Sequence, residues 1–304
     1  MLFDAYVVVD WSAASVPRQG TDSIWFAAFE RRSGGLVRRA LANPATRHAA
    51  GAALLALLQG LSARRRRVLV GFDFPNAYPA GFAAAAGFPG PPWRAVWDGL
   101  AGLLQDAPQN ANNRFALAAG LNRRIAGGGF PFWGHPHQHA GRYPGLAPKK
   151  PAGYGQGNRL AERRLCERYV PRTKPCWQLA GNGSVGGQAL TGIPAKRRLW
   201  RALVPNAAVW PFETGLAAAR EPAIVLAEVY PSLAAFAAER HAVKDARQVL
   251  AAARLLAARD DDGQLVRDLS GPPELTAAER RLVEREEGWI LGAGTFATCG
   301  SRPR

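Results

Sequence analysis

The chain of 304 residues is long enough to bury one large core or two smaller ones, and its apolar fraction of 48% is ordinary for a globular protein. Its 39 Lys and Arg residues outnumber its 23 Asp and Glu residues, giving a formal net charge of +16. This charge favours nucleic acid or a phosphorylated small molecule as the partner. The high content of Arg, Ala, Gly and Pro leaves a purely compositional origin of the charge equally open.

Cysteine usage and hydropathy predict a cytoplasmic protein. Cys166, Cys176 and Cys299 form no CxxC pair, and an odd number of cysteines suits free thiols in a reducing compartment. The N-terminal segment MLFDAYVVVD is too short and too acidic for a signal peptide. No apolar run approaches the roughly 18 to 20 residues of a membrane span. We therefore expect no membrane partner, and the sequence gives no indication of the oligomeric state.

The first predicted elements are three strands, a helix and a fourth strand. Apolar runs predict strands over 5–10, 22–30 and 35–41, with Gly- and Pro-containing connections that suit antiparallel pairing. An apolar stripe predicts a helix over 45–62, and a strand follows at 68–72. An antiparallel meander followed by a crossover helix and a parallel strand is the opening of a ribonuclease H-like fold. We therefore predict an α/β protein with a mixed sheet flanked by helices.

The segment 76–205 differs from its surroundings because it is rich in Gly, Pro, Asn and aromatic residues. We predict that it is a large insertion between the fourth and fifth core strands, which forms a lid over one edge of the sheet. A structureless loop as long as 127–157 is usually functional or mobile. Helices are predicted over 93–107, 113–126, 158–169 and 188–204.

The C-terminal third resumes the core, so that residues 1–75 and 206–292 form a single domain with 76–205 inserted and 293–304 as a loose tail. Strands are predicted over 207–213 and 223–231, and helices over 232–240, 243–259 and 276–287.

Four acids are placed to share a site. Asp10, Asp73 and Glu228 each end an apolar strand, and Asp245 lies in the first turn of a later helix. Converging carboxylates need compensation, usually by a divalent cation, and two Mg²⁺ or Mn²⁺ ions about 3.5–4 Å apart can support phosphodiester cleavage. In this hypothesis Asp10 bridges two ions, Asp73 and Glu228 are ligands on either side, and Asp245 completes the second site or orients water. The alternative is that each acid caps a helix or pairs with Arg.

A fifth acid, Glu213, is a secondary candidate. It follows the predicted strand VWPF and could be a substitute metal ligand or support one. Alternatively, it caps the next helix together with Thr214.

The order and spacing of six motifs along nearly the whole chain resemble the family called domain of unknown function 429. The motifs are VVVDWSAA (7–14), VGFDFP (70–75), VWPFE (209–213), AEVYPS (227–232), KDARQVLAAARLLAA (244–258) and EEGWILG (286–292). This resemblance implies a ribonuclease H-like, metal-dependent nuclease whose acids are Asp10, Asp73, Glu228 and Asp245. One departure is that resolvase-type relatives often carry two acids in the last helix, whereas Gln248 and Val249 stand here.

A glycine-rich stretch, LAGNGSVGGQ at 179–188, could present backbone amides to a phosphate. It is not a P-loop because no GK[ST] follows, and a flexible turn is the alternative. Basic residues flank it at Arg172, Lys174, Lys196 and Arg197. The candidate substrate-binding residues are Ser12, Lys174, Asn182, Gly183, Ser184, Gly186 and Lys244.

Two further patterns have a functional and a structural interpretation. His135, His137 and His139 alternate and could bind a transition metal, or they could lie in a solvated loop. Several aromatic residues could stack on bases or pack in the core. These are Trp11, Tyr78, Trp93, Phe132, Trp133 and Trp177.

The function predicted from these features is a divalent-metal-dependent nuclease or phosphodiesterase. One alternative is a phosphotransferase of the actin-like ATPase superfamily, although DWSAAS lacks the glycine of a phosphate hairpin. The other is a non-catalytic accessory protein that binds a nucleotide or phosphorylated metabolite in the same cleft.

Overall fold

The centre of the structure, a computed structural model that describes residues 1–139 and 141–296, is a six-stranded mixed sheet. Its strands are β1 (Ala5–Asp10), β2 (Trp25–Arg32), β3 (Gly35–Ala42), β4 (Val68–Phe72), β5 (Ala207–Val209) and β6 (Ile224–Glu228). They are ordered β3-β2-β1-β4-β6-β5; β1–β2 and β2–β3 pair antiparallel, and the other pairs are parallel. The prediction of an α/β protein with a mixed sheet is confirmed.

Helices flank this sheet. They are α1 (Arg47–Ala63), α2 (Phe82–Ala85), α3 (Pro92–Leu103), α4 (Arg114–Ala126), α5 (Gly186–Leu203), α6 (Lys244–Asp261), α7 (Leu265–Ser270) and α8 (Ala277–Leu282), the last continuing into a π-helical turn, Val283–Glu287. The short helices α2 and α7 were not predicted.

Three predictions about secondary structure are wrong. Residues 158–169 contain only the 3₁₀ turn Leu165–Arg168, because the Arg164 backbone is extended and its side chain is used in a buried ion pair. Residues 232–240 contain only the end of the 3₁₀ turn Pro231–Leu233. The predicted strand at 207–213 ends at Val209, since Pro211 has no N–H to continue a ladder.

The sheet is covered on both faces because alternate side chains of each strand point to opposite sides. Val7 and Val9 of β1 join one apolar cluster with residues of α1, α3, α4 and α5. Tyr6 and Val8 join a second cluster with residues of α6. Helices α3, α4 and α5 belong to the segment 76–205, so this segment supplies much of one covering layer of the sheet.

Two other sequence predictions concern the environment of the protein. No helix within the described part of the chain is long and apolar enough to cross a membrane. Cys166 and Cys176 are free thiols and both are buried. Cys299 and most of the predicted tail, 297–304, lie outside the described residues.

Candidate active site

Two carboxyl groups meet at the carboxyl ends of β1 and β4. Asp10 is the last residue of β1, and Asp73 follows Phe72, which pairs with Val9 in the parallel ladder. The Asp73 amide continues this ladder by donating to the Val9 carbonyl over 3.1 Å. The two acids are therefore neighbours across the paired ends of β1 and β4. The Trp11 amide donates to Asp73 Oδ1 over 2.8 Å and fixes its orientation.

Burial makes this carboxyl pair costly to ionise. Burial, and then the charge of Asp73, raise the pKa of Asp10 well above its ordinary value. Burial also raises the pKa of Asp73 to about 7, although the Trp11 amide acts in the opposite direction. Neither acid forms an ion pair with a basic side chain among the described residues. Near neutral pH the pair therefore holds a proton or requires another cation.

Asp245 extends the negative region. It lies in the first turn of α6 and lines, together with Asp10, a pocket of about 390 Å³ that we call the carboxylate pocket. Its Oδ2 accepts a hydrogen bond from the Asp22 amide over 2.8 Å. Its charge contributes to the raised pKa of both Asp10 and Asp73. The structure therefore brings three of the four predicted acids to one region.

Glu228 differs from these three acids because it already has a basic partner. It pairs with Phe72 in the β4–β6 ladder, whereas Asp73 follows β4, and both acids line a second pocket beside the carboxylate pocket. There the Arg164 guanidinium donates to both of its oxygens over 2.6 and 2.8 Å, and the Asn76 amide donates over 2.8 Å. Its carboxylate is thus already compensated.

The available carboxylates suit one hard cation that keeps some of its waters better than a cation held entirely by protein ligands. Among residues 1–139 and 141–296, no group of three His, Cys, Asp or Glu side chains could hold a metal ion. Mg²⁺, however, usually keeps several waters and takes only one or two carboxylates plus substrate phosphates. Asp10 and Asp73, which have no ion-pair partner among the described residues, match that pattern. Glu228, a predicted ligand of one of the two ions, is already paired with Arg164.

The glycine-rich stretch forms the opposite wall of the carboxylate pocket. Its last residues begin α5, and Gly183, Ser184 and Gly187 line the pocket. A Cβ on Gly186 would lie 2.5 Å from the carbonyl oxygens of Cys176 and Gln178, so only glycine fits this turn. The start of an α-helix offers unpaired N–H groups and positive potential, which together favour an anion.

Arg114 is a candidate functional residue that we did not predict from the sequence. It begins α4 and lines the carboxylate pocket, and its buried Nε has no hydrogen-bond partner in the part of the chain that the structure describes. Burial lowers the pKa of Arg114 to about 10, which leaves it charged at neutral pH. One local feature could have indicated a functional role for Arg114: a cation in the first turn of a helix is unfavourable, because the helix N-terminus is itself positive.

The structure places the other predicted substrate residues in different environments. Ser12 lines the carboxylate pocket, and Lys174 lines a neighbouring one. The Gly186 amide donates to the Gln178 carbonyl, so it is not free for a phosphate. Asn182 is exposed, and Lys244 is exposed with its ammonium 5.9 Å from the Phe236 ring centre.

Glu213 has local partners rather than a place in the pocket. Its Oε2 accepts from the Val209 amide over 2.9 Å, and Arg94 pairs with its Oε1 at 3.4 Å. These contacts favour the structural interpretation of Glu213.

The histidines and aromatic residues pack against each other. The ring of His139 lies against Phe115 and Tyr143, and His135 lies against Tyr143. The metal-site finding given above applies to these histidines as well. Most of the aromatic candidates for base stacking are buried in the core, which favours their structural interpretation. These are Trp11, Tyr78, Trp93, Phe132 and Trp177.

Comparison of the chain with protein-family models, with curated proteins and with solved structures finds no significant match. The resemblance to the domain of unknown function 429 family therefore stays a prediction from the motifs.

Proposed function

We propose that the protein is a divalent-metal-dependent phosphodiesterase, a nuclease in the broad sense, that acts in the carboxylate pocket. The observation that carries this proposal is that Asp10 and Asp73 lie side by side at the ends of the paired strands β1 and β4, with no ion-pair partner among the described residues, and that Asp10 shares a pocket with the N-terminus of α5. Negative groups that would hold a cation and positive groups that would hold a phosphate thus face one pocket. The strand order also supports a ribonuclease H-like core, with β6 placed between β4 and β5.

Each part of the pocket has a proposed role. Asp10 and Asp73 would hold Mg²⁺ or Mn²⁺, which would lower the pKa of a bound water and stabilise charge on the phosphate. Arg114 and the amides at the start of α5 would bind the non-bridging phosphate oxygens. Asp245 would accept a hydrogen bond from the attacking water and orient it. Glu228 is left out because Arg164 already pairs with it.

The test is cleavage of DNA, RNA and small phosphodiesters with Mn²⁺. Asp10→Asn and Asp73→Asn each remove one anionic ligand and keep the side-chain size, so we expect hydrolysis to disappear in both variants. Asp98→Asn is the matched control, since it changes an exposed acid that pairs with Arg197. Hydrolysis that persisted in both active-pocket variants would rule out this mechanism.

Calorimetry of Mn²⁺ binding separates Glu228 from the proposed ligands. We expect Glu228→Gln to bind Mn²⁺ as the wild type does, because Arg164 already pairs with both oxygens of this carboxylate. Asp10→Asn should bind it much more weakly. An equal loss of Mn²⁺ affinity in both variants would show that Glu228 is a metal ligand as well.

A further inference from the structure

A second pocket adjoins the carboxylate pocket. It has a volume of about 110 Å³, and Asp73 lies on its boundary. Gly183 lines both pockets, so the glycine-rich turn separates them only partly. A ligand whose phosphate lies in the first pocket can therefore extend into the second.

The interior of the second pocket contains a buried acceptor with no donor. Arg164 Nε donates to Glu167 Oε1 over 3.0 Å, while its other two nitrogens donate to Glu228. Glu167 is only 2% exposed, and its Oε2 has no hydrogen-bond partner among the described residues. Buried acceptors are rarely left unpaired, so this oxygen is a place for a ligand's N–H group.

The distribution of charge indicates the orientation of that ligand. Inside the pocket two carboxylates, Glu167 and Glu228, face the single guanidinium of Arg164, which disfavours an anion there. Arg172 and Lys174 also line the pocket, and both are exposed. A matching ligand therefore places its phosphate at the exposed, basic rim of the second pocket and a hydrogen-bond donor in the interior of this pocket.

We propose that the second pocket binds the nucleobase next to the phosphodiester, and that it selects a base with an exocyclic amino group. This inference rests on the proposed function, whose substrate it narrows to nucleotides. Glu167 Oε2 accepts from the amino group, as carboxylates do from cytosine N4. Lys174 contacts the adjacent phosphate. Val185, Val229 and Tyr230 provide apolar walls around a space that suits a single ring.

The test compares the binding of cytidine and uridine monophosphate in metal-free buffer, where hydrolysis plays no part. These two ligands differ at C4, where cytidine has an amino group and uridine a carbonyl, and at N3, where only uridine has an N–H group. We expect the wild type to bind cytidine monophosphate about tenfold more tightly, as befits one hydrogen bond to a charged group. Glu167→Gln replaces the acceptor with a donor and should remove or reverse the preference.

Two further variants keep the test decisive. Glu162→Gln changes a partly exposed acid in the same segment, which pairs with Lys150, and should keep the preference. Lys174→Ala changes an exposed side chain. It should weaken the binding of both nucleotides severalfold without changing the ratio of their affinities. If Glu167→Gln fails to fold, the Lys174→Ala variant and the ratio of the wild-type affinities for the two nucleotides still test the proposal. Equal binding of the two nucleotides, no binding, or an unchanged preference in folded Glu167→Gln would overturn the proposal.

The outcomes also separate this inference from the proposed function. A cytidine preference without any hydrolysis by the wild type would refute the phosphodiesterase and keep the base pocket. Hydrolysis that depends on Asp10 but shows no base preference would refute the base pocket alone.

Discussion

Asp10 and Asp73 lower the stability of the protein at neutral pH while they prepare a cation site. Their pKa values are raised in the folded state, mainly by burial. In the range between the ordinary value of 3.8 and about 7, the folded protein therefore holds protons that the unfolded chain has released. Stability falls as the pH rises through this range, because the unfolded state binds fewer protons there. This cost is a common property of functional sites.

This argument predicts that Asp73→Asn stabilises the metal-free protein at about pH 8, by about 1–4 kcal/mol. Asparagine can still accept from the Trp11 amide, and it has no charge to bury. Near pH 2 this electrostatic difference should vanish, since the carboxyl is then protonated in both the folded and the unfolded state. Denaturant unfolding at the two pH values measures the effect.

Saturating Mg²⁺ provides the control for this prediction. It should stabilise the wild type at about pH 8 and leave Asp73→Asn unchanged, because only the wild type offers both carboxylates. A variant less stable than the wild type at high pH would show that the pair is compensated in some other way.

At the scale of elements, the start of α5 depends on the close approach of two pieces of backbone. The stretch before this helix crosses the turn at 176–178 so tightly that a Cβ on Gly186 would lie 2.5 Å from two carbonyl oxygens. This contact places the helix N-terminus beside the carboxylate pocket. Packing thus fixes a binding element that a flexible loop would leave variable.

We therefore expect Gly186→Ala to lower the free energy of unfolding by about 1–3 kcal/mol, the usual cost of overpacking. Gly60→Ala is the matched control, since Gly60 lies inside α1 and its added Cβ would meet nothing within 4 Å. That variant should be more stable by about 0.5–1 kcal/mol, the helix-propensity difference. Chemical denaturation of both variants tests this contrast, and equal effects would contradict the tight crossing.

At the scale of the whole molecule, one buried ionic network joins distant parts of the chain. Arg164, from the segment 76–205, pairs with Glu228 at the end of β6 and with Glu167. Glu287, near the C-terminal end of the described chain, accepts from the amides of Leu165 and Ala80. The network therefore attaches the middle segment to the sheet.

Replacing Arg164 by Met should destabilise the protein by about 3–5 kcal/mol, because it leaves buried carboxylates without their cation. Arg197→Met, which breaks the pair with the half-exposed Asp98, should cost no more than about 1 kcal/mol. Thermal and denaturant unfolding measure both. A small effect for Arg164→Met would show that the network contributes little to attaching the segment.

The sequence by itself determined the strands and the acids at their ends. Buried β-branched runs need no tertiary information to be recognised, and a carboxylate after such a run falls at the sheet edge. That reasoning found β1, β4 and β6 and predicted that Asp10, Asp73, Glu228 and Asp245 share a site, of which Asp10 and Asp245 line one pocket. It also marked the glycine-rich stretch that begins α5.

Only the tertiary structure decided which acids have a basic partner. Glu228 is paired with Arg164, and no local sequence pattern specifies that pairing. Arg164 lies 64 residues before Glu228, and Arg114 reaches the pocket from another helix. Side-chain partners at such distances along the chain depend on packing, which a pattern of neighbouring residues does not encode.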